Sequence, residues 1–352
     1  MKALVLSGGT GSRLRPFSHS MPKQLIPIAN KPVLEHVLGN IRDIGVSDIG
    51  IIVGDRASSI QEAIGDGSRL DARITYLRQE TPGGLGHCVA LARDFLGDDD
   101  FVMYLGDNFL ADGIAPVART FVERRPAAHV IVHRVPDPRQ FGIAELDDEG
   151  NVLRLVEKPR QPTSDLALVG VYFFTPAIHE AVASIRPSAR GELEITDAIQ
   201  WLHDAGARVT ATEYDGYWKD VGHTEDVLAC NRYQLNGLRR TIDGWADPSS
   251  ELVGQVELGV GARVIRSRVE GPVVIGPGTL VEDSHVGPNT AIGADCVIRS
   301  TRLADSVVMD RAAILDIPGL RGSLIGRSAT IRPRGTEHRL VVGDDVRIEL
   351  AA

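Results

Sequence analysis

Cysteine is scarce in this 352-residue chain: Cys88, Cys230 and Cys296 are the only three, odd in number and without metal-ligand spacing. A disulfide scaffold and a zinc module are both excluded by that count. An excess of positive charge is also missing. Thirty-eight Lys and Arg stand against 47 Asp and Glu, a net charge of −9, which favours solubility and lacks the clustered cations of a nucleic-acid surface. No apolar run approaches the roughly 20 residues that span a bilayer. The start, Met1-Lys2-Ala3-Leu4-Val5-Leu6-Ser7-Gly8-Gly9, has too short an apolar stretch for a secretory signal. It reads as a buried strand of a cytoplasmic protein, with neither membrane nor nucleic acid among its partners.

What the chain does contain falls into two patterns. From Met1 to about Arg240, β-branched runs alternate with amphipathic stretches. Lys2–Ser7, Ile49–Val53, Ile74–Leu77, Phe101–Leu105 and His129–Val135 read as strands, while Val33–Ile44, Ile60–Ile64, His87–Phe95 and Ile114–Arg124 carry helical spacing. This alternation predicts a mostly parallel sheet covered on both faces, with ligands beyond the carboxyl ends of its strands. Beyond about Glu251, Leu258, Ile275, Ile292, Val308 and Ile325 recur at intervals of 17, 17, 16 and 17 residues, four of them directly before glycine. That period, with Gly276-Pro277-Gly278 and Gly287-Pro288 inside it, excludes helix and predicts a solenoid of short parallel strands, a β-helix. An antiparallel sandwich would not hold so constant an interval. Ile242–Ser250 is polar and turn-rich and reads as the boundary between domains at 1–240 and 251–352, with Thr224–Arg240 a helix closing the first. Arg339–Val342 and Val346–Leu350, around Gly343-Asp344-Asp345, suit a hairpin that caps the last coil.

Three glycines in four positions follow the first strand, in Ser7-Gly8-Gly9-Thr10-Gly11-Ser12-Arg13, and let backbone N–H groups approach an anion. No Gly-Lys-Ser/Thr follows, so this is not a Walker A loop, and the glycine offsets do not fit a dinucleotide fingerprint. Arg13 offers a bidentate fork for phosphate, and Lys23 is a second, more compact cation. Gln79, just before Pro82-Gly83-Gly84-Leu85-Gly86, pairs a donor with an acceptor, as the edge of a pyrimidine imide requires. Asp107 ends the apolar strand Phe101–Leu105 with a carboxylate, and Asp220, in Trp218-Lys219-Asp220, follows another, aromatic-rich strand end. Two such groups suffice for Mg²⁺ on a nucleotide, where phosphate oxygens and waters complete the shell.

Gly8-Gly9-Thr10-Gly11-Ser12-Arg13-Leu14-Arg15-Pro16, Pro22-Lys23-Gln24-Leu25-Ile26-Pro27-Ile28 and Asn30-Lys31-Pro32 together resemble the signature of the sugar-1-phosphate nucleotidylyltransferases. The likeness covers essentially the whole chain, in the long form of that family. It implies an α/β fold, a Rossmann-like, mostly parallel sheet followed by a left-handed parallel β-helix. Mg²⁺ is the implied cofactor, dTTP and glucose 1-phosphate the implied substrates, and a homo-oligomer the implied assembly. UTP, GTP or ATP with another sugar 1-phosphate remains open, as does a non-catalytic regulatory relative. By the same resemblance Arg13, Lys23 and Lys158 are catalytic, and Leu6, Gly8, Gly9, Thr10, Gly11, Gln79, Gly84 and Asp107 hold the nucleotide. Asn108, Gly142, Glu157, Lys158, Val169 and Arg190 hold the sugar phosphate, and Asp107 and Asp220 hold the metal. Leu85-Gly86-His87 departs from the usual Leu-Ala-Gln or Leu-Ala-His, and Asp220-Val221-Gly222 from Asp-Thr-Gly. Only five of the 38 basic residues are lysines, and Lys23, Lys31, Lys158 and Lys219 all fall in or beside these motifs. In so Arg-biased a chain, a retained lysine suggests a need for a compact ammonium. A second, acyl-transfer activity in the solenoid is poorly supplied with bases, since His285 is its only histidine before the tail.

Overall fold

The structure is a computed structural model that describes residues 1–9, 11–333 and 345–349. Thr10 and most of the expected tail hairpin lie outside the described residues. The chain forms two compact units that interleave in sequence: Met1–Thr10 with Leu34–Asp220, and Gly11–Val33 with Val221–Ala352.

In chain order the first strands are β1 (Lys2–Ser7), β2 (Pro27–Ile28), β3 (Lys31–Pro32), β4 (Asp48–Val53), β5 (Arg73–Arg78), β6 (Phe101–Leu105), β7 (Asn108–Leu110), β8 (Ala128–Arg134), β9 (Gly142–Leu146), β10 (Val152–Glu157), β11 (Leu166–Phe174), β12 (Val209–Glu213) and β13 (Trp218–Asp220). The helices are α1 (Val33–Asp43), α2 (Ala57–Ile64), α3 (Leu85–Leu91), α4 (Arg93–Leu96), α5 (Ala115–Arg124), α6 (Ile178–Ser184), α7 (Ile195–Asp204) and α8 (Thr224–Asn236).

The first unit is built on a nine-stranded sheet of order β10-β9-β11-β6-β1-β4-β5, with β8 and β12 joined through β11. β1 lies parallel to β4 and β6, and β4 parallel to β5. Its side chains alternate between two cores, as a strand buried on both faces must. Leu4 and Leu6 face Val89, Ile178 and Ile199 on α3, α6 and α7, whereas Ala3 and Val5 belong with Leu34, Ile60 and Phe121 on α1, α2 and α5. The expected mostly parallel sheet needs correction. β11 runs antiparallel to β6, β8 and β9, and β10 antiparallel to β9, so the Rossmann-like sheet is mixed. For β9 and β10 the cause is local: the turn at Asp147–Asn151 is too short for a crossover and returns the chain as a hairpin.

The second unit is a coil with three faces of six, six and five short parallel strands. Leu258, Ile275, Ile292, Val308 and Ile325 are register partners in one unbroken column, as their spacing predicts. Arg266, Asp283, Ser300 and Asp316 turn matching corners in the left-handed region, with φ of 45°, 50°, 48° and 57°. A ladder of hydroxyls runs beside them: the Ser267, Ser284 and Thr301 backbone N–H groups donate to Oγ of Ser250, Ser267 and Ser284 in turn. The boundary read at 242–250 is in fact the first coil. Thr241–Ile242 pairs with Glu257–Leu258 and Trp245–Ala246 with Arg263–Val264. The Asp243-Gly244 turn is a coil corner, packed so closely that a Cβ on Gly244 would lie 2.6 Å from the Ala262 carbonyl oxygen.

The helix expected to close the first domain, α8, falls in this second unit. Asn231 on α8 accepts from the Ala29 N–H and donates to the Asn289 carbonyl, both at 3.0 Å, and Asn30 Nδ2 donates to the Ile292 carbonyl at 2.6 Å. The loop 11–33 is thereby tied to the coil. Ile292 is fully buried in the stacked column. Ile292→Ala is expected to cost about 2–5 kcal/mol, because the neighbouring coils cannot collapse into the space. Denaturant melting of the variant against wild type measures it, and a loss too small to detect would mean the column is not a packed core.

Candidate active site

Strand order reverses beside β1, with β4 and β5 on one side and β6 on the other, which is where open α/β sheets bind ligands. The Gly106 N–H donates to the Leu6 carbonyl and the Gln79 N–H to the Val53 carbonyl, both at 2.9 Å. Gly8, Gly9, Gln79 and Asp107 therefore emerge on one rim of the sheet. The Leu6 side chain is buried in the core, so only its backbone is available to a nucleotide. A Cβ on Gly8 would stand 3.2 Å from Gln79 Oε1, and Gln79 Nε2 lies 3.0 Å from His87 Nδ1. Gly84 has φ +90°, and a Cβ there would meet the Leu193 carbonyl at 2.6 Å. Burial pushes the Cys88 thiol up to about 12, against a hydrogen bond with Gln79 that opposes the rise. A thiol held protonated in this way is no nucleophile.

The two carboxylates, 113 positions apart in sequence, are brought to one ribbon. β13 pairs antiparallel with β7, setting Trp218, Lys219 and Asp220 opposite Leu110, Phe109 and Asn108. Asp220 thus stands across from the residue next to Asp107. Trp218 Nε1 donates to Asn108 Oδ1 at 2.7 Å, and Asn108 Nδ2 to Asp107 Oδ1 at 3.4 Å. Among the described residues no group of three or more His, Cys, Asp or Glu could hold a metal. A pair of carboxylates fits a small hard cation whose remaining ligands come from a bound phosphate chain and water.

Of the sugar-phosphate set, Gly142, Glu157, Lys158 and Arg190 gather where β9 meets β10, while Asn108 and Val169 stand on β7 and β11. Gly142 leaves room that a Cβ would fill, 2.9 Å from Leu168 Cδ1 and 3.1 Å from Glu157 Oε2. Glu157 accepts from Thr196 Oγ1 at 2.6 Å and from Arg190 Nη2 at 3.2 Å, and Lys158 Nζ lies 3.6 Å from it. Arg190 also pairs with the buried Glu194 at 2.8 Å. Glu157, Lys158, Arg190 and Glu194 line a cleft of about 940 Å³ that runs on to Asp197, Gln200 and His203. Burial, and then the charges of Glu194 and Glu157, raise the Asp197 carboxyl above its ordinary range. Val169 is fully buried, so it can meet a sugar only through its backbone. Gly170, with φ +81°, passes so close to Leu105 and Asn108 that a Cβ would reach them at 2.8 and 3.1 Å. Sequence reasoning missed Thr196 and Trp218, although Trp218 stands two residues before Asp220.

In the second unit, Gly11 has φ +64° and a Cβ on it would lie 3.0 Å from Lys23 Cβ. A Cβ on Gly222 would lie 3.4 Å from Arg13 Nη2. Arg13 sits in a single turn, Ser12–Leu14, pinned by the buried Leu14, and Lys23 opens the turn Lys23–Leu25. Val221, where the family pattern has threonine, is buried. Of the predicted residues, then, Gly11, Arg13 and Lys23 belong to the second unit and the other described ones to the first.

Carboxylates on a paired ribbon, strand-end backbone and a Glu-Lys-Arg cleft belong to the class of α/β proteins that handle phosphate groups by charge and position. Within that class the chain is a member of the nucleotidyl transferase family, whose model matches residues 2–237. A second family model, the GMPPB C-terminal domain, matches residues 269–351. The chain is 52% identical to a glucose-1-phosphate thymidylyltransferase of Streptomyces griseus, covering 100% of both sequences. It is 50% identical to one of Streptomyces antibioticus, covering 99% of each. Among solved structures, a Bacillus anthracis protein described as a glucose-1-phosphate thymidylyltransferase, in complex with sucrose, superimposes with a TM-score of 0.62 at 33% identity. That match covers 66% of this chain and 95% of the other. Among the described residues no helix is long and apolar enough to cross a membrane.

Proposed function

We propose that this chain transfers a deoxythymidylyl group from dTTP to glucose 1-phosphate, giving dTDP-glucose and pyrophosphate. The full-length likeness to two thymidylyltransferases supports the substrates. The observation that carries the chemistry is the β7–β13 ribbon, which sets Asp220 across from Asn108 beside Asp107. An ionised oxygen of the sugar phosphate attacks the α-phosphorus in line, forming one P–O bond as the bond to pyrophosphate breaks. No covalent enzyme intermediate is required, and the protein's task is to align two polyanions and offset the charge of the transition state.

In this reading Lys158 holds the attacking phosphate, and Glu157, Arg190, Asn108 and the backbone at Gly142 and Val169 orient the sugar. Arg13 and Lys23 take the triphosphate and the departing pyrophosphate, with Gly8, Gly9, Thr10 and Gly11 giving backbone donors. Gln79 and the Gly84 backbone read the base. Mg²⁺ on Asp107 and Asp220 would neutralise charge at the α-phosphate. The reading extends to a left-handed coil, a catalytic domain at about 1–240 followed by a coil domain that starts at about 241 rather than 251, a homo-oligomer and a cytoplasmic setting in deoxysugar synthesis; family models matching 2–237 and 269–351 support a division into two domains.

The test is pyrophosphate release over a matrix of nucleoside triphosphates and sugar 1-phosphates. The highest kcat/KM is expected for dTTP with glucose 1-phosphate. UTP should trail by roughly 10–200-fold, since one methyl group in an apolar pocket is worth about 1–3 kcal/mol. A preference for GTP or ATP, or no release with any pair, would overturn the assignment.

A further inference from the structure

A primary amide can face a base in two orientations, and the structure holds that of Gln79 in one. Its Nε2 lies 3.0 Å from His87 Nδ1, and an amide nitrogen can only donate, so this arrangement requires the tautomer in which Nδ1 accepts and Nε2 of the histidine carries the ring proton. At the other end, Gln79 Oε1 abuts the bare glycine after β1, where a Cβ on Gly8 would stand 3.2 Å away. The imidazole is itself wedged in place. A Cβ on Gly83 would lie 2.7 Å from Nδ1 and 2.8 Å from Cγ of His87. Gly83 is held in turn, since its carbonyl accepts from the Leu193 N–H and the Leu193 carbonyl accepts from the Gly86 N–H, both at 2.8 Å.

Thymine and uracil present an N3–H donor beside the O4 acceptor, whereas cytosine presents an N3 acceptor beside an N4 donor. Turning an amide end for end converts a partner of the first pattern into a partner of the second. We propose that His87 is a positioning residue that makes the site selective for the imide edge of thymine or uracil over cytosine, by accepting from Gln79 Nε2 and so fixing which end of the amide is which. The inference rests on the reading of Gln79 as the base-facing residue.

The experiment compares steady-state turnover of dTTP and dCTP with glucose 1-phosphate in the full-length wild type and three variants. His87→Phe keeps a ring and loses the acceptor. It is expected to raise KM for dTTP at near-unchanged kcat, and to lower the dTTP-over-dCTP preference about tenfold, the scale of one neutral hydrogen bond lost or misdirected. His87→Asn, whose Oδ1 can stand where Nδ1 stood, is expected to restore the wild-type preference. Gln79→Leu is expected to abolish it. If Gln79→Leu leaves the preference intact, the base-facing reading fails and this inference with it. If Gln79→Leu removes the preference while His87→Phe keeps it, or Phe and Asn behave alike, the role of His87 alone is overturned. Nitrogen NMR of the wild-type imidazole needs no variant: a protonated Nε2 with a bare, hydrogen-bonded Nδ1 is expected, and a protonated Nδ1 contradicts the proposal.

Discussion

Lys158→Ala is expected to lower turnover of glucose 1-phosphate roughly a hundredfold or more, the scale on which removing one oxyanion-stabilising donor acts, while leaving the protein folded. The ammonium is half-exposed and its ion pair to Glu157 spans 3.6 Å. Such surface pairs contribute under about 1 kcal/mol, so the fold has little to lose. The backbone points the same way. Lys158 sits at φ 42°, a left-handed conformation in which a Cβ-bearing residue is strained by roughly 1–2 kcal/mol. Glycine would relieve that strain, so Lys158→Gly should lose turnover as alanine does while melting no lower than wild type. Kinetics paired with thermal melting separates the two effects. A near wild-type rate in either variant would remove Lys158 from the catalytic set.

Asp107→Asn and Asp220→Asn are each expected to reduce Mg²⁺-supported turnover by about a hundred- to a thousandfold, as loss of a charge-stabilising group does, and to shift the activity maximum to higher Mg²⁺. An amide keeps the shape and polarity of the carboxylate but not its charge, so the β7–β13 ribbon should persist. Because both groups would serve one ion, the double variant should be little worse than the weaker single, a departure from additivity expected only of residues acting as a unit. Titrating activity against Mg²⁺ for all three proteins is the measurement. Independent, additive losses with an unchanged Mg²⁺ dependence would mean that the two carboxylates do separate jobs.

Local features were legible in the sequence, and contacts between distant segments were not. β1, β4 to β6 and α1 could be read from β-branched runs and helical spacing, because each satisfies its hydrogen bonds near itself or against a parallel neighbour. The coil column could be read to the residue, since a repeat makes register a matter of counting. The antiparallel half of the sheet could not. The turn at Asp147–Asn151 reverses β9 into β10, and the register of β11 on β8 shifts between Leu168 and Tyr172; neither has a periodic signal. The first coil was misread because its short strands and polar corners look like a linker until their partners one coil later are known. At the site, motifs named Asp107 and Asp220, but only strand pairing sets Asp220 across from Asn108, the neighbour of Asp107. His87 fits one of the two familiar patterns, which this chain leaves only at Gly86, so the sequence did not single it out; its bearing on Gln79 exists only in three dimensions.

The loop that carries Arg13 and Lys23 hangs by Asn30 on the Ile292 carbonyl and by Ala29 on Asn231, and the Phe17 ring lies 3.6 Å from where a Cβ on Gly326 would be. The carboxyl-terminal third is therefore no detachable cassette. A gene trimmed to its first 240 codons would keep the cations and the Ala29–Asn231 bond, but would take away the Ile292 carbonyl from Asn30 and the Asn289 carbonyl from Asn231.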